Sequence, residues 1–183
     1  MDADTLVATL QAAVPGAQIE RALSLDPQTT IYVTREAVPA LALVLRDQRE
    51  LAFTFLAELT AVDFWPKEPR FEVVYVLVSI ANRLRLRMKV RMAADDPHVA
   101  TVSGVWPAAN WLEREVWDLF GIAFDGHPDP RRLLMPEDWD GFPLRKDYPV
   151  QIRMTPRISE PLQVTEQEFR ASLEKDRLVR RDT

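Results

Sequence analysis

Residues 110–149 read NWLEREVWDLFGIAFDGHPDPRRLLMPEDWDGFPLRKDYP. The stretch holds three of the five Trp, three of the five Gly and one of the two His in this chain of 183 residues, mixed with charges of both signs. Its second half contains so many prolines that neither a helix nor a central strand can continue through it. A segment of this kind must fold over its own domain or lie against another protein.

The first third of this stretch predicts a helix. Asn110 is a favoured N-cap residue, and Glu113 three positions later completes a capping-box pattern. Apolar residues then recur at helical spacing, at Leu112, Val116, Leu119 and Phe120. Gly121 is predicted to end the helix, because glycine takes the left-handed backbone conformation that helix ends use.

Upstream, two adjacent stretches predict an antiparallel hairpin. Residues 71–80 are almost continuously apolar, as in a central strand, and residues 82–92 alternate strictly between apolar and basic. The basic positions are Arg83, Arg85, Arg87, Lys89 and Arg91. The hairpin therefore has one face on the core and one basic face, which lies in water or against an acidic partner.

Weaker patterns predict the remaining elements. Helices are predicted at residues 4–13, 38–49 and 165–180, the last opened by a capping box of Thr165 and Glu168, and a hairpin at residues 18–25 and 29–33. A short helix running into a strand is predicted at residues 53–64, and a turn of helix at 102–106.

These elements predict an α+β fold, with a small, mostly antiparallel sheet packed with helices in residues 1–127. Seven of the fourteen prolines lie between Pro128 and Pro161. Residues 128–183 are therefore predicted to form an irregular, partner-binding extension that ends in a short helix.

Composition excludes several classes of function. The chain is 47% hydrophobic, enough for a core, and it has no Cys, which rules out disulfides, thiolate nucleophiles and iron–sulfur ligation by this chain. An acidic N-terminus and the lack of a long apolar run predict a cytoplasmic or peripheral protein. A net charge of −5 gives no overall footprint for nucleic acid.

Two groups of side chains invite a chemical interpretation. Asp125, His127 and Asp129 have the chemistry of a metal corner, but one tight turn rarely brings three ligands to one point, and a local hydrogen bond by His127 is favoured. Glu115 and Asp118 share a helix face, as an acid–base pair would, yet no nucleophile or phosphate-binding loop accompanies them. No catalytic, cofactor-binding or metal-binding residue is therefore predicted.

Two basic runs, Arg131-Arg132 and Arg145-Lys146-Asp147, lie among acidic residues. They form either exposed ion pairs of little energetic value or part of an interface, in which Arg and Trp dominate the binding energy. The crowding of both residue types favours the interface. Arg131 and Arg132 are expected to serve assembly more than folding.

The pattern as a whole resembles the signature of a known family. The matching residues are Glu113-Arg114-Glu115, Asp118, Gly121-Ile122, Phe124, Gly126-His127-Pro128-Asp129, Arg131-Arg132-Leu133-Leu134, Trp139, Gly141 and Pro143-Leu144-Arg145-Lys146-Asp147-Tyr148-Pro149. They stand as in the thirty-kilodalton subunit of respiratory complex I, called the C-type subunit in bacteria. The resemblance covers most of residues 30–150, with Pro130 as a departure from the more usual Leu or small residue.

The resemblance implies a subunit in the peripheral arm of a proton-translocating NADH:quinone oxidoreductase, at the cytoplasmic face of the inner membrane. Such a subunit carries no flavin or iron–sulfur cluster, which belong to partner subunits. It packs beside the forty-nine-kilodalton-type subunit, called the D-type subunit in bacteria, and beside other peripheral-arm subunits. It reaches the membrane only through the complex. The alternatives are an equivalent subunit of a ferredoxin-, deazaflavin- or hydrogenase-linked complex, or a free-standing enzyme that uses Glu115, Asp118 and His127.

Overall fold

The computed structural model describes residues 2–22, 26, 28–149 and 165–171. It divides into two compact units, Met1–Tyr148 and Pro149–Thr183. The boundary predicted at residue 127 is therefore wrong by about twenty residues, since the proline-containing residues 128–148 belong to the first unit. The contacts that hold these residues on the core are described below.

The first unit is built on a five-stranded sheet. Its strands are β1 (Ile19–Arg21), β2 (Thr29–Val33), β3 (Phe55–Asp63), β4 (Phe71–Ser79) and β5 (Leu84–Met92). They lie in the order β1-β2-β5-β4-β3, and every neighbouring pair is antiparallel except β2 and β5, which are parallel. The predicted hairpins and the α+β class are confirmed.

Three helices accompany the sheet: α1 (Ala3–Ala13), α2 (Val38–Asp47) and α3 (Ala109–Phe120). Proline at the first turn of α2 is tolerated because the amide there has no partner within the helix. A separate two-stranded parallel sheet pairs β6 (His98–Ala100) with β7 (Ala123–Asp125). The sequence patterns missed this small sheet, because strands of three residues show no period.

The core lies on one face of the five-stranded sheet, which we call the core face. Alternate residues of β4 and β5 point into it, and they pack with apolar residues of all three helices. The fully buried members include Phe71, Val73, Tyr75, Leu77, Leu86, Met88 and Val90 from the sheet and Leu10, Leu41, Leu45 and Ala109 from the helices. The remaining face of the sheet, the outer face, carries the predicted basic residues of β5.

The helix predicted before β3 is absent, and residues 55–63 are a strand throughout. The register slips by one residue between Leu56 and Glu58, as at a β-bulge. A bulge shifts the alternation of buried and exposed side chains by one position, so the period of two is broken in the sequence. Residues 102–106 form a single helical turn, as predicted, closed by the bond from the amide of Trp106 to the carbonyl of Val102 at 2.9 Å.

Two predictions about helix ends have different outcomes. Gly121 ends α3 with φ of 71°, and its amide donates to the carbonyl of Trp117 at 2.8 Å, as predicted. The predicted N-cap is wrong, because Ala108 precedes α3 and no side chain caps its first turn. Asn110 lies inside the helix, and the Glu113 carboxylate bonds elsewhere.

The described part of the second unit contains a short helix at residues 166–171. The amide of Thr165 donates to Glu168 Oε2 at 2.8 Å, and the amide of Glu168 donates to Thr165 Oγ1 at 3.3 Å. The predicted capping box is therefore confirmed. The rest of the predicted helix, residues 172–180, lies outside the described residues, as do residues 23–25 of the first hairpin.

No helix within the described residues has both the length and the apolar character needed to cross a membrane.

Candidate functional site

The signature residues converge on three buried carboxylates: Asp63 at the end of β3, and Glu113 and Asp118 on α3. The side chains of all three are 0% exposed. A buried carboxylate is stable only when hydrogen-bond donors surround it. In each case backbone amides of loop residues are among the donors, so each carboxylate fixes loop residues to the core.

Asp118 fixes the start of residues 128–148, which we call the signature segment. Its Oδ2 accepts from the amides of residues 133, 134 and 135 at 3.0, 2.7 and 2.8 Å. Its Oδ1 accepts from Arg132 Nη1 at 2.7 Å. Burial alone would raise the pKa of Asp118, but these donors outweigh it and lower the pKa below its usual range.

Arg132 is an internal brace, contrary to the expectation that it serves assembly. Its Nη2 donates to the carbonyls of Trp139 and Gly141, at 2.9 and 3.3 Å, in addition to the bond with Asp118. Its side chain is only 14% exposed. Arg131 differs, since its side chain is 75% exposed and pairs with Asp129 at 2.6 Å. Both arginines were predicted to lie outside the core because a high proline content gives no sign that an irregular loop packs on it.

Arg114 of α3 also holds this loop, through bonds to its backbone carbonyls. Its Nε donates to the carbonyl of Arg131 at 3.0 Å, and its Nη2 donates to the carbonyl of Arg132 at 3.1 Å. These bonds satisfy carbonyl groups that the prolines leave without partners in regular structure. The irregular loop is therefore held by side chains in place of a backbone ladder.

Asp63 fixes the end of the signature segment through Arg70. Arg70 donates to both oxygens of Asp63, at 3.0 and 2.9 Å, and to both oxygens of Asp147, at 3.0 and 2.7 Å. The amide of Lys146 donates to Asp63 Oδ2 at 2.8 Å, and the amide of Trp65 to Oδ1 at 2.9 Å. Burial would raise the pKa of Asp63, but these donors outweigh it and lower the pKa to about 2.

Arg145 joins this segment to the end of α3. Its Nε donates to the carbonyl of Phe120 at 2.6 Å, and its guanidinium lies 4.6 Å from the ring centroid of Phe142 and 5.1 Å from that of Phe71. Burial and the nearby charge of Arg70 lower the pKa of Arg145. The faces of the two rings attract the guanidinium. A carbonyl left free at the helix end is thereby satisfied by a side chain more than twenty residues away.

Gly121 is required here for two reasons. Its positive φ favours glycine, and a Cβ at this position would overlap the ring of Phe142 and the guanidinium of Arg145. We expect Gly121→Ala to lower the free energy of unfolding by about 2 kcal/mol or more. Asn110→Ala should be nearly neutral, because the Asn110 side chain caps nothing. Chemical denaturation of both variants tests this ranking, and equal losses would contradict it.

Glu113 and His127 fix the loops on either side of the small sheet. Glu113 Oε1 accepts from the amide of Val102 at 2.7 Å, and burial raises its pKa. His127 Nδ1 accepts from the amide of Asp129 at 3.0 Å, so Nε2 carries the proton and donates to the carbonyl of Asn110 at 3.0 Å. His127 thus holds a turn locally, as the favoured interpretation predicted.

In the structure, the side chains of the possible metal corner and of the possible acid–base pair do not come together. Asp125 bonds His98 Nδ1 at 2.6 Å and Asp129 bonds Arg131, so neither carboxylate joins His127 at one point. Within the described ranges, no group of three His, Asp or Glu side chains is placed to hold a metal ion. Glu115 is exposed while Asp118 is buried and bonded to Arg132 and the amide of Leu133, so the two carboxylates do not form an acid–base pair.

The predicted signature residues fall into three classes of exposure. Glu113, Arg114 and Asp118 are buried; Gly121, His127, Asp129, Arg132, Trp139, Arg145 and Tyr148 are half-buried; Glu115, Gly126, Pro128, Arg131, Lys146 and Asp147 are exposed. The key residue that sequence analysis missed is Arg70, which lies 77 positions before its partner Asp147. No local pattern marks a pair so distant along the chain.

Two solved structures share this fold. A trypsin-resistant fragment of Nqo5, residues 1–134, matches 70% of this chain and 99% of its own length, with a TM-score of 0.57 and 33% identity. A structure of the membrane-bound sulfane sulfur reductase, an archaeal respiratory membrane complex, matches 80% of this chain and 85% of its own chain, with a TM-score of 0.66 and 26% identity. The fold is thus one found in a respiratory membrane complex.

The chain belongs to the family of the 30 kDa subunit of respiratory-chain NADH dehydrogenase, whose model matches residues 31–153. The C-type subunit of the NADH-quinone oxidoreductase of Roseiflexus sp. (strain RS-1) is 47% identical over 150 residues, which is 82% of this chain and 86% of the relative. The C-type subunit of Geobacter sulfurreducens is 50% identical over 125 residues, 68% of this chain and 76% of the relative. The resemblance drawn from the signature is confirmed.

Proposed function

We propose that this chain is a non-redox subunit of the peripheral arm of a proton-translocating NADH:quinone oxidoreductase. It scaffolds the forty-nine-kilodalton-type subunit near the quinone site, and flavin and iron–sulfur clusters lie on partner subunits. It sits at the cytoplasmic face of the inner membrane, held there by the complex. Its membership of the family and its likeness to C-type subunits of NADH-quinone oxidoreductases support this proposal.

One observation carries the scaffolding role. The polar signature groups are engaged in bonds that hold the chain's own loops, as with Asp63, Glu113 and Asp118, so they are not free for acid–base chemistry. Around them the surface carries large apolar side chains that stay more than half exposed. Trp111 is 58% exposed and Leu134 is 56% exposed. Exposed aromatic and aliphatic side chains of this size mark protein interfaces.

A second candidate is the equivalent subunit of a related complex that takes electrons from ferredoxin, a deazaflavin or a hydrogenase. The similarity to a chain of an archaeal respiratory membrane complex supports this second candidate, since the similarity covers 80% of the present chain. Both candidates give this chain the same scaffolding role. They differ in the electron donor of the assembled complex.

The test is deletion of the gene, complementation with a tagged copy, and purification of the complex from membranes. We expect the tagged chain to purify with the forty-nine-kilodalton-type subunit, and NADH:quinone reductase activity to fall at least about tenfold without it. Reduction of quinone by reduced ferredoxin but not by NADH would select the second candidate. Normal amounts of active complex in the deletion strain would contradict the proposal.

Two variants locate the interface. Trp111→Ala and Leu134→Ala together should reduce the amount of complex, because both side chains are more than half exposed in the lone chain. Leu43→Ala is the matched control, since Leu43 is a 46% exposed apolar residue on α2, in a different part of the surface. Equal assembly of the double variant and the control would exclude this surface as the contact.

A further inference from the structure

The outer face of the five-stranded sheet forms a second surface, distinct from the signature segment. On β4 the even-numbered residues point to this face, because the odd-numbered ones pack in the core. The register places Val74, Val76 and Val78 opposite Lys89, Arg87 and Arg85 of β5. None of the three valines belongs to the hydrophobic core cluster, although Val74 is only 8% exposed.

The half of this face on β3 and β4 is mostly apolar, although Glu58 and Thr60 lie opposite Val76 and Val74, and Glu72 lies at the end of the valine row. Phe55 lies opposite Val78 in the register and is 51% exposed, and Ile80, which follows β4, is 71% exposed. Val62 continues the surface along β3 and is 37% exposed. A row of valines flanked by such exposed side chains is an apolar strip and not a set of scattered surface residues.

The half on β5 is basic and partly held in place. The Arg91 guanidinium lies 3.7 Å from the ring centroid of Tyr32 on β2, and its side chain is still 48% exposed. Arg85 is exposed and has no ion pair within the part of the chain that the structure describes. Glu72 pairs with Lys89 at 2.7 Å and more distantly with Arg91 at 3.7 Å, and Arg87 pairs with Asp26 at 2.8 Å. Arg85 and Arg91, at the two ends of the row, remain the most exposed of these cations and are the ones best placed to meet another molecule.

We propose that this outer face docks an acidic, amphipathic helix of another subunit of the complex; this rests on the proposed function above. A sheet covered by helices on one face gains stability when a further layer covers the other. A helix is about 10 Å wide and neighbouring strands are about 4.8 Å apart, so one helix spans β4 and β5 together. Its apolar side would then lie on the valines and its acidic edge on Arg85 and Arg91.

The alternative occupant, a single-stranded nucleic acid, fits less well. Such ligands need exposed aromatic rings on which bases stack. The ring beside the basic row, Tyr32, is already covered by Arg91, and the exposed ring of Phe55 lies on β3, two strands away from β5. The apolar strip of β4 would also meet a charged backbone, which it cannot satisfy.

The first test is photo-cross-linking in the assembled complex. A photoreactive amino acid is placed at Ile80 or at Arg85 of the full chain, with Leu43 as a matched exposed control on α2. We expect cross-links from both outer-face positions to a helical segment of another subunit that carries acidic residues. Cross-links to nucleic acid, to lipid or to a second copy of this chain would overturn the proposal, as would their absence in a complex that contains the chain.

The second test is charge reversal. Arg85→Glu should reduce incorporation into the complex about tenfold or more, because a carboxylate would face the acidic edge of the helix. Arg49→Glu is the matched control, since Arg49 is exposed and lies after α2, and it should assemble within about twofold of wild type. Both lone variants should keep the wild-type denaturation midpoint.

The outcomes separate the two proposals. Equal assembly of Arg85→Glu and Arg49→Glu would contradict the proposal that the outer face docks an acidic helix, and it would leave the proposed function intact. Failure of the wild-type chain itself to purify with the other subunits would overturn the proposed function and this occupant together.

Discussion

Asp118→Ala is expected to lower the free energy of unfolding of the lone chain by about 3–5 kcal/mol. The side chain is 0% exposed, and its removal leaves Arg132 and three backbone amides without their acceptor. Removing one partner of a buried pair typically costs this much, because the remaining charge stays in a poorly solvated place. Chemical denaturation of the isolated chain, with the slope of the transition unchanged, measures the effect.

The neighbouring arginines provide the matched comparison. Arg132→Ala should destabilise the chain strongly, because it too breaks the pair with Asp118 and frees the carbonyls of Trp139 and Gly141. Arg131→Ala removes the same charge from the adjacent position but should leave the midpoint at the wild-type value, since its side chain is 75% exposed. Equal midpoints for the two variants would show that Arg132 does not brace the loop.

Sequence patterns predicted the elements whose side chains repeat along a strand or helix. The hairpin of β4 and β5 was predicted because β5 alternates over nine residues, and the end of α3 because Gly121 has a special backbone role. In both cases the determining signal is local. Both signals depend only on residues that are close to one another along the chain.

The errors arose where a distant contact competes with a local one. Glu113 fits a capping box with Asn110, but its carboxylate bonds Val102, which brings the loop before α3 onto the core. The boundary at residue 127 was wrong for a related reason. Prolines indicate that a segment is irregular, but they do not indicate whether side chains such as Arg114 and Arg132 dock it. An irregular loop that packs on the core and one that does not show the same sequence pattern.

The aspartates that share Arg70 should differ sharply in their effect on stability. Asp63→Ala should cost about 3–5 kcal/mol, because it leaves a guanidinium that is 9% exposed without its buried partner and two amides without an acceptor. Asp147→Ala should cost far less, since Asp147 is 44% exposed and Arg70 keeps its bonds to Asp63. Ion pairs with one solvent-exposed partner contribute roughly 0–1 kcal/mol.

The same buried aspartate, Asp63, should give the chain part of its acid sensitivity. Its pKa is about 2 in the folded chain and 3.8 at the ordinary value, so the stabilisation is complete above about pH 4 and is lost as the pH falls toward 2. The difference in unfolding free energy between wild type and Asp63→Ala should therefore shrink between pH 7 and pH 3, while the lowered pKa of Asp118 keeps some acid sensitivity in the variant. Urea titrations of both chains at the two pH values measure this. A difference that stays constant with pH would mean that Asp63 stabilises the docked segment by its shape and not by its charge.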